Sequence, residues 1–192
     1  MTTATEAAPV EPLRAGPVLV IGDSVVSRSR SALASALPEA DLEVVAVEGA
    51  RTADMLPLAR EALAAADDDT RVVVLLGHND ARVGRVDDPA VEDLAELVDG
   101  RGCAIWLAIP TAPGGVEATA DDLVPTDLAR DWNRRTPTVL AGRGSVRWDT
   151  AWADQVDGPA GLDLVGRDRV HPTAAGRVAL AATVRAALVR CS

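Results

Sequence analysis

Near its C-terminus the chain reads Asp168-Arg169-Val170-His171-Pro172-Thr173. An Asp three residues before a His can turn back onto its Nδ1. It would then fix the tautomer and leave Nε2 free to take a proton from a hydroxyl. A loop leading into a capped helix would read the same way. Near the N-terminus, Gly22-Asp23-Ser24 follows an apolar run. A Ser at a strand-to-helix turn projects its hydroxyl at the sheet edge, as a nucleophile or merely as a helix cap. Its neighbours do not form the Gly-x-Ser-x-Gly elbow. Gly49 and Gly77-His78-Asn79-Asp80 lie between these two segments. A Gly lets a backbone N–H approach a ligand closely, and an Asn amide can donate to an oxyanion. Both are also ordinary turn residues.

These residues need a scaffold, and the hydrophobic pattern supplies one. Apolar runs at 18–21, 42–47, 72–76, 104–109 and 145–148 read as strands. The first three are rich in Val and Ile with little alternation, which suits strands covered on both faces. Helical spacing falls at 27–37, 53–66, 89–98, 127–140 and 173–189, with Thr173 as an N-cap. Strand and helix thus alternate about five times, which predicts a doubly wound α/β sheet. In such sheets the ligand site lies beyond the carboxyl ends of the strands. Ser24, Gly49 and Asn79 each follow a predicted strand. Residues 110–126, rich in Pro, Gly and acid, would form either a mobile rim or a solvated connection.

Composition narrows the chemistry. The chain has 192 residues, the length of about one domain. We expect a disordered leader over 1–16 and one domain over 17–192. The net charge of −10 disfavours nucleic acid and anionic lipid surfaces as partners. All basic residues are Arg, and Tyr and Phe are absent. Lysine Schiff-base chemistry and a phosphate-binding lysine are excluded. The two His and two Cys lie far apart and do not signal a zinc site. Residues 1–16 do not read as a secretory signal, and no run is long enough to insert in a membrane. The expected location is cytoplasmic, with Cys103 and Cys191 as buried thiols rather than a disulfide. The four Trp read as packing, Asp67-Asp68-Asp69 as a solvated loop, and Arg51 as an ion-paired side chain or a contact for an acidic substrate group.

Together the four blocks resemble the SGNH hydrolases, also called the GDSL esterase family. The family's pattern is Gly-Asp-Ser, then Gly, then Gly-x-Asn-Asp, then Asp-x-x-His. Here it stands as Gly22-Asp23-Ser24, Gly49, Gly77-His78-Asn79-Asp80 and Asp168-Arg169-Val170-His171, across roughly 17–190. His78 departs from a position where the family often has Thr, and would sit at the pocket rim. The resemblance implies a flavodoxin-like three-layer α/β/α sandwich with a five-stranded parallel sheet. It also implies a serine hydrolase cleaving a carboxylic ester or thioester through an acyl-enzyme. Ser24, Asp168 and His171 would form the triad, with the N–H groups of Ser24 and Gly49 and the amide of Asn79 as the oxyanion hole. Asp23 and Asp80 would brace the loops. The chemistry needs no cofactor or metal. The expected partner is a small-molecule or acyl ester or thioester substrate. A biosynthetic acyltransferase or thioesterase would use the same triad. A non-catalytic flavodoxin-like module would not need it.

Overall fold

The computed structural model describes residues 12–84, 88–119 and 122–191. The chain runs β1 (Gly16–Gly22), α1 (Ser24–Ser27), α2 (Arg30–Ala36), β2 (Ala40–Ala46), α3 (Thr52–Ala65), β3 (Arg71–Leu75), α4 (His78–Arg82) and α5 (Asp88–Val98). It continues through β4 (Cys103–Leu107), a short 3₁₀ turn (Pro113–Gly115), α6 (Thr126–Leu140), β5 (Val146–Asp149), α7 (Ala151–Asp157), α8 (Gly161–Leu164) and α9 (Ala174–Val189). The strands form one sheet in the order β2-β1-β3-β4-β5, and every pairing is parallel. Helices pack as α2 with α9 on one side and as α3 with α5 and α5 with α6 on the other, so the sheet lies in the middle of three layers. This is the expected three-layer α/β/α fold.

The central strands are apolar because both faces are covered. β3 and β4 are buried along their whole length, as are Val18, Leu19, Val20 and Ile21 of β1. β2 differs from the expectation of two covered faces. It is an edge strand whose residues alternate between partial burial and exposure at its start. The expected helix over 27–37 is two helices, α1 and α2. Ser29 interrupts it, its hydroxyl donating to the Val25 carbonyl (2.7 Å) and its N–H to that of Val26 (2.9 Å). Such local bonds offer the backbone an alternative to a continuing helix. α7 and α8 were not anticipated, being too short to show a helical period.

Most of the expected leader, residues 1–11, lies outside the described residues. Leu13 packs into the core at 4% exposure. Cys103 and Cys191 are joined as a disulfide, not held as separate thiols. The topology explains the pairing. In a parallel sheet each returning helix ends near the amino edge of the strands. α9 therefore carries Cys191 back to the first residue of β4, with the two Cα atoms 5.9 Å apart, within bridging range.

The described residues of segment 110–126 are tied down by hydrogen bonds and an ion pair. Asp157 of α7 accepts from the N–H groups of Thr111 and Ala112 and from the Thr111 hydroxyl. Thr126 accepts from Ala118, and Arg130 pairs with Glu117.

Candidate active site

Three strands deliver the site. β1 ends at Gly22, and Asp23 caps α1 by accepting from the Val25 N–H. That turn sets Ser24 at the carboxyl edge of the sheet, 6% exposed. β2 leads to Gly49, whose φ of +76° is in the left-handed region glycine favours. β3 leads to Gly77, where a side chain would also collide with the Trp132 indole. The turn at Gly77 starts α4 and presents His78, Asn79 and Asp80 to the same edge.

The fourth piece arrives from the far end of the chain. Thr173 caps α9 by accepting from the Gly176 N–H. The turn before it carries Asp168 and His171. His171 Nδ1 lies 2.6 Å from Asp168 Oδ2, and Nε2 lies 2.9 Å from Ser24 Oγ. Asp168 Oδ1 accepts from the N–H groups of Val170 and His171 at 3.1 and 3.0 Å. Burial pushes the Asp168 carboxyl up, but the hydrogen bonds from the His171 ring and these amides outweigh it and hold it below its ordinary value. An ionised Asp168 makes Nδ1 the protonated nitrogen, so Nε2 faces Ser24 as an acceptor. Ser24, Gly49, His78, Asn79 and His171 all line one cavity of about 140 Å³. Leu123, Val124 and Val170 form its apolar wall, while Arg28, Glu48 and Arg82 stand at its charged side.

A family model for GDSL-like lipases and acylhydrolases matches residues 20–179 of the chain. The chain belongs to this family. None of the curated proteins compared with it matches. A lipase/acylhydrolase from Enterococcus faecalis is similar in structure, with a TM-score of 0.68 at 19% identity, covering 88% of this chain and 94% of that one. A carbohydrate acetylesterase from Sinorhizobium meliloti gives 0.68 at 14%, covering 93% and 100%. The C-terminal catalytic domain of peptidoglycan O-acetyltransferase A from Streptococcus pneumoniae gives 0.64 at 20%, covering 92% and 94%.

Within this GDSL-like frame the remaining residues fall into place. Asn79 Nδ2 donates to Asp23 Oδ2 (3.2 Å) and to the Ala50 carbonyl (3.0 Å). Both amide hydrogens are engaged, so an oxyanion would have to share one of them. The geometry also changes what substitutions report. Asn79→Asp would set a carboxylate against that of Asp23 and against a carbonyl, which costs stability whatever the catalytic role. Asn79→Ala is the cleaner variant. We expect it to lower kcat about 10²- to 10³-fold with little change in KM, and kinetics beside a thermal melt will separate this from a folding defect.

His78 is 4% exposed, deeper than a rim position. Its Nδ1 stands 3.6 Å from Asp23 Oδ2, and neither ring nitrogen has a hydrogen-bond partner. Arg51 pairs with Asp54 at the start of α3. Trp106, Trp132 and Trp152 are core residues.

Asp80 braces the α3 and α4 loops by accepting from the N–H and hydroxyl of Thr52. Burial pushes its carboxyl up to about 6, with the Thr52 bonds opposing. A folded value above the ordinary one favours the protonated folded state. That contribution is fully present below the ordinary carboxylate value near 3.8 and is lost as pH rises through about 6. Relative to Asp80→Asn, the wild type should lose on the order of 2–3 kcal/mol between about pH 4 and pH 7, a difference that urea unfolding at the two values will measure.

Arg169, inside the Asp168–His171 turn, is a residue the sequence did not single out. Its φ is +59°, the one positive value at a non-glycine among the described residues. That conformation costs an L-residue about 1–2 kcal/mol. A long cationic side chain between the two acid–base residues was the available signal. Its partners lie too far along the chain for spacing to reveal.

Proposed function

We propose that the protein is a serine esterase that hydrolyses short-chain carboxylic esters through an acyl-enzyme on Ser24. The observation that carries this reading is the continuous relay Ser24 Oγ, His171 Nε2, His171 Nδ1, Asp168 Oδ2, with gaps of 2.9 and 2.6 Å. A binding module has no use for such a relay.

Ser24 Oγ attacks the carbonyl carbon while its proton passes to His171 Nε2. The carbonyl oxygen becomes an oxyanion, held by the N–H groups of Ser24 and Gly49 and by the Asn79 amide. Asp168 stabilises the imidazolium that forms. The intermediate collapses, the alkoxide leaves with the proton from Nε2, and an ester on Ser24 remains. Water then attacks that ester and gives a proton to Nε2. The second collapse releases the acid and returns the proton to Ser24 Oγ.

Cavity size and lining support a substrate class. About 140 Å³ is the share of four to five liquid waters at ~30 Å³ each. The acyl group fits against Leu123, Val124 and Val170, and the leaving group faces Arg28, Glu48 and Arg82. The similar acetylesterase and O-acetyltransferase agree with a small acyl group. The His171 side chain is 17% exposed, so water can reach the acyl-enzyme. A series of aryl esters of increasing acyl length tests this. Acetate and propionate should turn over fastest, and an enzyme that prefers octanoate, or turns over none, refutes it.

No helix among the described residues is long and apolar enough to cross a membrane. The bridged Cys103 and Cys191 suit an oxidising compartment better than the expected cytoplasm.

A further inference from the structure

Arg169 stands between Asp168 and His171, yet its side chain points away from both, into the segment after β4. Nη1 donates to the carbonyl of Glu117 and to Asp122 Oδ2, each at 3.1 Å. Nη2 donates to the carbonyl of Pro113 at 3.0 Å and to that of Val116. The side chain of Arg169 is 13% exposed and that of Asp122 8%. Asp122 also accepts from the N–H and hydroxyl of Thr119, so one carboxylate gathers the segment and the cation at a single point. The two residues after Asp122 are Leu123 and Val124, the apolar wall of the Ser24 cavity. The opposite end of the same guanidinium's backbone is the triad turn itself.

We propose that Arg169 is a positioning and specificity-determining residue, a clamp that fixes the Leu123–Val124 wall relative to the Asp168–His171 turn and thereby sets the acyl length the site accepts. The inference rests on the ester reading for its substrate, but the clamp itself does not. The left-handed backbone at Arg169 is a conformation glycine would take without strain. A residue serving only the turn would gain from being glycine. What a glycine lacks here is the fork that spans three carbonyls and a carboxylate, a geometry that suits the planar guanidinium and not an ammonium.

This gives a test in which the turn and the clamp predict opposite results. Arg169→Gly relieves the backbone and removes the clamp, while Arg169→Lys keeps the charge but not the fork. Hydrogen–deuterium exchange of the amides at 114–119 and 122–124 should speed up about tenfold or more in both variants, with α9 unchanged. The ratio of kcat/KM for aryl acetate to that for aryl hexanoate should fall by about tenfold, since a methylene in a tight pocket carries discrimination of that order. Unchanged exchange in Arg169→Gly overturns the clamp. Faster exchange with an unchanged acetate-to-hexanoate ratio overturns its role in specificity. A wild-type chain inert to every ester, with Ser24 unlabelled by a fluorophosphonate, refutes the ester reading and the specificity role with it, while the exchange measurement still decides the clamp. Should Arg169→Gly not fold, Arg169→Lys carries both readouts.

Discussion

Ser24→Ala is expected to lower ester turnover by about 10⁴- to 10⁶-fold while leaving the chain folded. Among the described residues the Ser24 hydroxyl is the one hydroxyl hydrogen-bonded to a histidine. Its one recorded side-chain bond is to His171 Nε2, so its loss removes a single hydrogen bond, a net of about 0.5–1.5 kcal/mol. The thermal midpoint should therefore move by only a few degrees. Wild-type protein should take up a fluorophosphonate at Ser24, and the variant should not. Turnover near the wild-type rate in Ser24→Ala, or an adduct on another Ser, would remove Ser24 as nucleophile.

His171→Ala should fall by a comparable factor, because in a triad the nucleophile and base act as one unit. Asp168→Asn should be less damaging than the loss of the base. It keeps a group beside Nδ1 but gives up the charge that stabilises the imidazolium and fixes the tautomer. His78→Ala is the control. Its ring nitrogens make no hydrogen bond to the relay, and we expect a loss of less than about tenfold. The pH dependence follows from the same arrangement. Asp168 is held ionised by the His171 ring and the amides around it. Asp168 should therefore stay charged, and kcat/KM should not fall on its account, until the pH drops below the ordinary carboxylate range. A His78→Ala enzyme as crippled as His171→Ala would mean that the wrong histidine has been given the base.

The sheet was readable because its central strands are uniformly apolar. A run such as 72–76 can satisfy itself only when covered on both faces, so β3 was plain. β2 was misjudged because an edge strand carries a similar Val content, and strand order is a tertiary property. Ser24, Asn79, Asp168 and His171 were legible because each follows or precedes an element that the hydrophobic pattern places at one edge. The disulfide was not. Cys103 and Cys191 are 88 residues apart, and only the return path of α9 makes them neighbours. The engagement of the Asn79 amide by Asp23 and Ala50 was hidden for the same reason, as was the Arg169 clamp. A guanidinium's reach exceeds what local spacing encodes, and its acceptors are mostly carbonyls, which carry no mark in the amino-acid letters.

The packing of Trp132 against Gly77 has an optical consequence. With no Tyr or Phe in the chain, near-ultraviolet absorption and emission come essentially from four indoles. Trp106, Trp132 and Trp152 are dry, and none of their ring N–H groups has a hydrogen-bond partner, while Trp148 is half-buried. The dry indoles emit to the blue and Trp148 further to the red. The Trp132 ring occupies the space a side chain at residue 77 would take, two positions before Asn79. Movement of the Gly77 turn should therefore be expected to register in the Trp132 emission, and a titration with a non-hydrolysable ester analogue, followed by native fluorescence, would show whether occupying the cavity moves it.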